Sequence, residues 1–186
     1  MKTLMNGLLK GRITRWGFLA VLLIAAGTTV GWKNQRQYQL GGGFIGHGAG
    51  LVYHCVQSPL DPDGRTAALV VKTVDDDGSM AGLLAALGAN TASEGVGQDE
   101  MISRDTAKWN MVAYAQLMGV TPKITAIFVW AGTFQFTGPD NIVINMTLNI
   151  YPATADADHD GFPDAGATPA LSIPGLTGVG KRVPIP

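Results

Sequence analysis

The feature that most constrains this chain is a strict two-residue alternation of apolar and polar side chains. In the segment 141–151 (NIVINMTLNIY), Ile142, Ile144, Met146, Leu148 and Ile150 fall on one side, and Asn145, Thr147 and Asn149 on the other. Successive side chains of an extended strand point to opposite faces, so this pattern predicts a half-buried β-strand. The segment 124–137 repeats it, sending Ile124, Ala126, Phe128, Trp130, Phe134 and Phe136 to one side. Gly138-Pro139-Asp140-Asn141 is turn chemistry, so the two segments form a hairpin. Its apolar wall must be buried, because an exposed patch of that size aggregates or binds something.

Earlier segments follow the same plan. Strands are predicted at 41–48, 51–57, 66–74, 95–103 and 108–117, with Trp109, Met111, Ala113 and Ala115 on one face of the last. Residues 58–64 (SPLDPDG) and Arg104-Asp105-Thr106 read as turns. The 25 glycines and 10 prolines fit a chain with many turns. One short helix is predicted from Ser79 to Leu87, with Ser79 as its cap and Gly88 as its stop. The fold class is therefore all-β: an up-and-down antiparallel meander of about seven strands, which removes its edges by curling into a closed or partly closed barrel. The Pro- and Gly-rich end at 180–184 can pack back as a final strand.

The charge distribution separates a leader from this domain. Six of the 13 basic residues precede residue 41 and all 14 acidic residues follow it. The remainder thus has seven basic groups against 14 acids, a formal charge of −7. Such a domain repels phosphate backbones and carries no basic patch with interleaved aromatics, which argues against a nucleic-acid partner. The four basic residues of 1–15 precede an uncharged apolar run, 16–30 (WGFLAVLLIAAGTTV). That is the layout of a signal peptide or signal anchor over 1–31. The positive-inside rule places the chain after residue 31 outside the cytoplasm: periplasmic, extracellular, or membrane-anchored if the leader is retained. Residues 32–40 read as a tether, 41–151 as the β-meander domain, and 152–186 as an Asp-rich loop and tail.

The opening Gly43-Phe44-Ile45-Gly46 ahead of a hairpin meander resembles the lipocalin-like, or calycin, architecture over residues 41–151. There a glycine-plus-aromatic motif opens the first strand, although that pattern usually has tryptophan where Phe44 stands. The resemblance implies a barrel whose interior can take a small apolar ligand. The wall for it is Trp109, Phe128, Trp130, Phe134, Phe136 and Met146. The main architectural rival is a cone-shaped sheet with a helix across its mouth, as in the nuclear-transport-factor-like fold.

The motif with the most chemical content is Asp156-Ala157-Asp158-His159-Asp160-Gly161-Phe162-Pro163-Asp164. Carboxylates at alternate positions converge on one cation when the chain wraps around it, and the glycine permits the sharp turn. The pattern resembles the first half of an EF-hand loop and, more closely, the thrombospondin type 3 repeat. By that resemblance Asp156, Asp158, Asp160 and Asp164 supply side-chain oxygens to Ca²⁺, and Phe162 supplies a carbonyl. Ala167 stands where an EF-hand has its bidentate Glu, so the affinity expected is of the extracellular class, Kd on the order of 10⁻⁴–10⁻³ M.

Catalytic constellations are missing. His54 and Cys55 are strand neighbours that face opposite ways, and Cys55 reads as a small buried hydrophobe. No serine sits in a nucleophile elbow, and Asp99-Glu100 alternates across its strand. Asp75-Asp76-Asp77 reads as a turn that favours a helix N-terminus. The expectation is an exported, non-enzymatic structural or interaction module with a calcium-stabilised loop. The alternatives are a binder of a small apolar ligand, or a barrel- or cone-type enzyme.

Overall fold

A computed structural model describes residues 41–58 and 65–184, all within the compact unit Leu40–Pro186. The leader, the tether and the tip of the 58–64 turn lie outside the described residues. The strands, in chain order, are β1 (Gly42–Gly48), β2 (Leu51–Gln57), β3 (Thr66–Asp75), β4 (Thr91–Ala92), β5 (Gly95–Met101), β6 (Thr106–Leu117), β7 (Lys123–Phe136), β8 (Asn141–Pro152) and β9 (Leu171–Arg182). A helix, α1 (Ser79–Ala86), lies between β3 and β4.

Every pairing is antiparallel, and the order β6-β5-β3-β2-β1-β9-β8-β7 returns to β6 through a long β6–β7 ladder. Eight strands therefore close into a barrel. The short β4 continues the line of β5 along β6, with Thr91 opposite Gln116 and Val96 opposite Val112. Between them Ser93 bonds Tyr114 through both its amide and its hydroxyl. The closing strand is β9, which pairs β8 on one side and β1 on the other. The barrel thus runs beyond residue 151 and takes the C-terminal segment as its last stave.

Alternation decides what goes inside. Ile142, Ile144, Met146, Leu148 and Ile150 are all buried, as are Ala126, Phe128, Trp130, Phe134 and Phe136 from β7. Ile124 departs from the expectation and is 44% exposed. A bulge between Ala115 and Gln116 shifts the register there, and Ile124 sits at the rim, past the point where facing strands can cover it. Glycine permits tight coiling at Gly97, where a Cβ would lie 1.8 Å from the Asn110 carbonyl oxygen on the neighbouring strand.

One barrel end carries α1, the β6–β7 turn and the long β8–β9 connection. The other carries the chain's arrival at Gly41, the β5–β6 and β7–β8 turns, and Arg182. The helix differs from expectation in its cap. Ser79 is its first residue, and the carboxylate of Asp75 accepts from the amides of Gly78, Met80 and Ala81. An acid four residues ahead of the helix thus does what a capping hydroxyl would do. Gly88, at φ +66°, ends the helical stretch as its left-handed freedom allows.

Candidate metal centre and the barrel interior

The connection from β8 to β9 starts with a 3-10 turn, Ala153–Ala155, packed against β7 and β8. The next nine residues form a closed loop: the Asp164 amide donates to the Ala155 carbonyl at 2.7 Å. Inside it, Asp156 accepts from two amides, Asp160 N at 3.0 Å and Gly161 N at 3.1 Å, one on each oxygen. Asp158 accepts from Asp160 N at 3.3 Å, and Asp164 from Ala157 N at 3.3 Å. These bonds wrap the backbone around its own carboxylates.

Carboxylate oxygens of Asp156, Asp158 and Asp164 come within 4.8 Å of one another. Calcium–oxygen bonds of about 2.3–2.6 Å put opposite ligands about 4.6–5.2 Å apart, so three oxygens this close fit the first shell of one Ca²⁺. All three are carboxylates, hard oxygen donors, which suits calcium or magnesium over softer metals. Asp160 is not in the cluster; its carboxylate accepts the Phe162 amide at 2.8 Å. The Phe162 side chain faces solvent, 56% exposed.

The loop is tied to the barrel. The Tyr114 hydroxyl on β6 donates to the Gly161 carbonyl at 2.9 Å. A Cβ on Gly161, whose φ is +93°, would come 2.8 Å from that hydroxyl, so both the turn and the contact require glycine. Ile127 has the outward parity of β7 yet is 1% exposed, between Tyr114 and Tyr151 in the register. The connection therefore lies over this part of the outer wall as a strap.

The barrel interior is filled. Trp109, Phe128, Trp130, Phe134, Phe136 and Met146 are all buried inside, and Trp109 stacks on Phe134 with centroids 5.3 Å apart. Trp109, Phe134 and Met146 also border a cavity of about 20 Å³, together with Tyr53, Cys55, Leu69, Val71, Met111 and Ile144. That is room for about one water molecule. Cys55 is buried as expected, and burial, with Asp99 nearby, pushes its thiol up to about 12. A raised thiol pKa lowers the fraction of thiolate, the nucleophilic form.

Sequence reasoning missed a polar pair inside this apolar core. Asp99 is 1% exposed and Gln57 6%, and the Gln57 side-chain amide donates to Asp99 Oδ2. Asp99 Oδ1 and its register neighbour Trp109 Nε1 have no hydrogen-bond partner among the described residues. Burial pushes the Asp99 carboxyl up to about 7, against the opposing pull of the Gln57 hydrogen bond. Burial likewise raises the Tyr53 phenol, whose hydroxyl donates to the Gly48 carbonyl at 2.6 Å. Parity was the available signal: Gly95, Gly97 and Asp99 share one face of β5, opposite Val96, Gln98 and Glu100. Hydropathy points the other way, since Val96 is 63% exposed. Glu100 faces out and pairs with Arg65 and Lys108 at 3.0 and 2.7 Å.

No family model, characterised protein or solved structure matches this chain.

Proposed function

We propose that this chain is an exported, non-enzymatic β-barrel module of the cell envelope or secretome, whose β8–β9 strap is fastened to the barrel wall by calcium. The observation that carries the reading is the convergence of Asp156, Asp158 and Asp164 within 4.8 Å on a loop already hydrogen-bonded to Tyr114. In this reading Asp156, Asp158 and Asp164 hold the ion through carboxylate oxygens, and the Phe162 carbonyl adds a fourth ligand. Asp160 joins by releasing the Phe162 amide. The ion's chemistry is structural: it offsets the repulsion of clustered carboxylates and fixes the strap over Ile127.

A filled interior supports a structural role over ligand carriage. Typical small-molecule pockets measure roughly 300 Å³ or more; the cavity beside Trp109 measures about 20 Å³. Among the described residues the barrel's polar interior groups form no assembled acid–base or nucleophilic pair, which supports the non-enzymatic reading. Export rests on the basic, then apolar leader and the acidic remainder.

The test is a melting curve with and without millimolar Ca²⁺, with Asp158→Asn/Asp160→Ala as the control. Binding to the native state alone raises the melting temperature by linkage. The double variant should lose that increment and keep the calcium-free melting point within a few degrees. Identical wild-type curves in calcium and in chelator would sink the reading.

A further inference from the structure

Two buried side chains connect the middle of β5 to the point where the chain joins the barrel. Asp99 accepts from Gln57 Nε2; the other end of that same amide, Gln57 Oε1, accepts from the Gly41 amide at 2.9 Å. The Gly41 carbonyl is held in turn by Arg182 Nη1 at 2.7 Å, and the Arg182 guanidinium lies 4.6 Å over the Phe44 ring. Gly41 and Gly42 have φ of +113° and +84°, a left-handed path that Gly41's two hydrogen bonds hold in place. We propose that Asp99, Gln57 and Gly41 form a proton-operated latch at this end of the barrel, in which protonation of Asp99 turns the Gln57 amide over and frees Gly41.

The reason is donor–acceptor matching. An ionised carboxylate only accepts, so Gln57 must offer it the NH₂ group, which leaves the amide oxygen for the Gly41 N–H. A protonated carboxyl carries a donor that needs an acceptor. Oδ1 accepts no hydrogen bond among the described residues, and a proton held there without an acceptor would carry the full cost of a buried donor. The amide that already meets Asp99 carries such an acceptor at its other end, Gln57 Oε1. Turning the amide gives Asp99 O–H an acceptor and sets two donors, Gln57 NH₂ and Gly41 N–H, against each other. Gly41 is only half-buried and can exchange its partner for water, so the chain lets go there and not at Asp99.

The surroundings allow Asp99 to act alone. From β2 its titratable neighbour is Cys55, raised by burial and by Asp99, with Tyr53 beyond it, also raised by burial; Arg182 on β9 is engaged by the Gly41 carbonyl and Asp140. Ala67 on β3 and Trp109 on β6, its register partners, carry no charge. Glu100, Arg65 and Lys108 pair on the outer surface, and His47 and His54 are exposed on the outer face of β1 and β2. The upward push on Asp99 to about 7 puts the transition near neutral pH.

The experiment is an NMR pH titration of the full chain in detergent micelles, following the Asp99 carboxyl carbon, the Gln57 side-chain NH₂ and the Gly41 amide. Expected is one shared midpoint for all three. Below it, the exchange protection of Gly41, corrected for intrinsic rates, should fall about tenfold, the worth of one net hydrogen bond. In Asp99→Asn the Gly41 transition should vanish. In Gln57→Met, which keeps the bulk and removes the amide, Asp99 should still titrate while Gly41 stays still. A Gly41 transition that survives in Asp99→Asn overturns the latch. So does an Asp99 titration in the wild type that leaves Gly41 unmoved.

Discussion

Replacing Asp99 by Asn should abolish a stability slope that the wild-type barrel carries through mildly acidic pH. The carboxyl rises from an ordinary 3.8 to about 7 on folding, about three pH units. Each unit corresponds to about 1.4 kcal/mol, so the upper limit of the effect is about 4 kcal/mol, and relaxation around the charge brings the expectation to about 2–4 kcal/mol. The sign comes from the proton count. Between about pH 4 and 7 the native state holds a proton that the unfolded chain has lost, so stability falls as pH rises. The contribution is complete below the unfolded value and gone above about 7. Exposed Asp77 and Asp105 work in the opposite direction, because hydrogen bonds from neighbouring Ser and Thr groups lower their carboxyls. Their support is lost only as pH falls below the ordinary carboxylate range, so it leaves the Asp99 window clear. The assay is urea unfolding at about pH 5 and about pH 8 in chelator, read by tryptophan fluorescence. Asp99→Asn should match the wild type at the lower pH to within about 1 kcal/mol, since each neutral side chain leaves one polar atom unmatched. At the higher pH it should be the more stable protein. Parallel pH profiles for the two proteins would mean that the buried carboxyl is not what titrates.

Phe134→Ala removes a ring stacked on Trp109 and enlarges the cavity beside it; unfolding should become easier by about 3–5 kcal/mol, measured by urea titration. A loss under about 1 kcal/mol would show that the interior is loosely filled. Asp75→Ala strips three amides of α1's N-terminal region of their acceptor and should cost about 1 kcal/mol, with faster hydrogen exchange confined to residues 78–89. Exchange unchanged there would return the capping role to Ser79.

The barrel was legible because period-two alternation is a local signal and β6, β7 and β8 carry it almost without interruption. Closure was harder to read, since it depends on β9 reaching both β8 and β1, and the Leu171–Arg182 segment alternates poorly around Pro174 and Gly175. The helix cap went to Asp75 because a carboxylate at a strand's end can fold back over the next turn, a contact that nearest-neighbour capping rules do not anticipate. The calcium loop's aspartates were visible from spacing alone, but its anchor, Tyr114, lies 47 positions away from Gly161. Asp99 was hidden for a different reason. Its strand exposes Val96 and buries a carboxylate, so hydropathy misleads; parity groups Asp99 with Gly95 and Gly97, and the register beside Ala67 and Trp109 reveals that this face is inside.

Calcium fastening of the strap is read from the Gly161 amide while Ca²⁺ is added to the chelator-treated chain. That N–H donates to Asp156 Oδ2 at 3.1 Å, so an ion taken up by Asp156 must change its resonance. A bound ion gives a saturable shift with a midpoint on the order of 10⁻⁴–10⁻³ M, shared by Ala157, Asp160 and Phe162 and absent in Asp158→Asn/Asp160→Ala. A drift that never saturates, and that sodium at equal ionic strength reproduces, would contradict it.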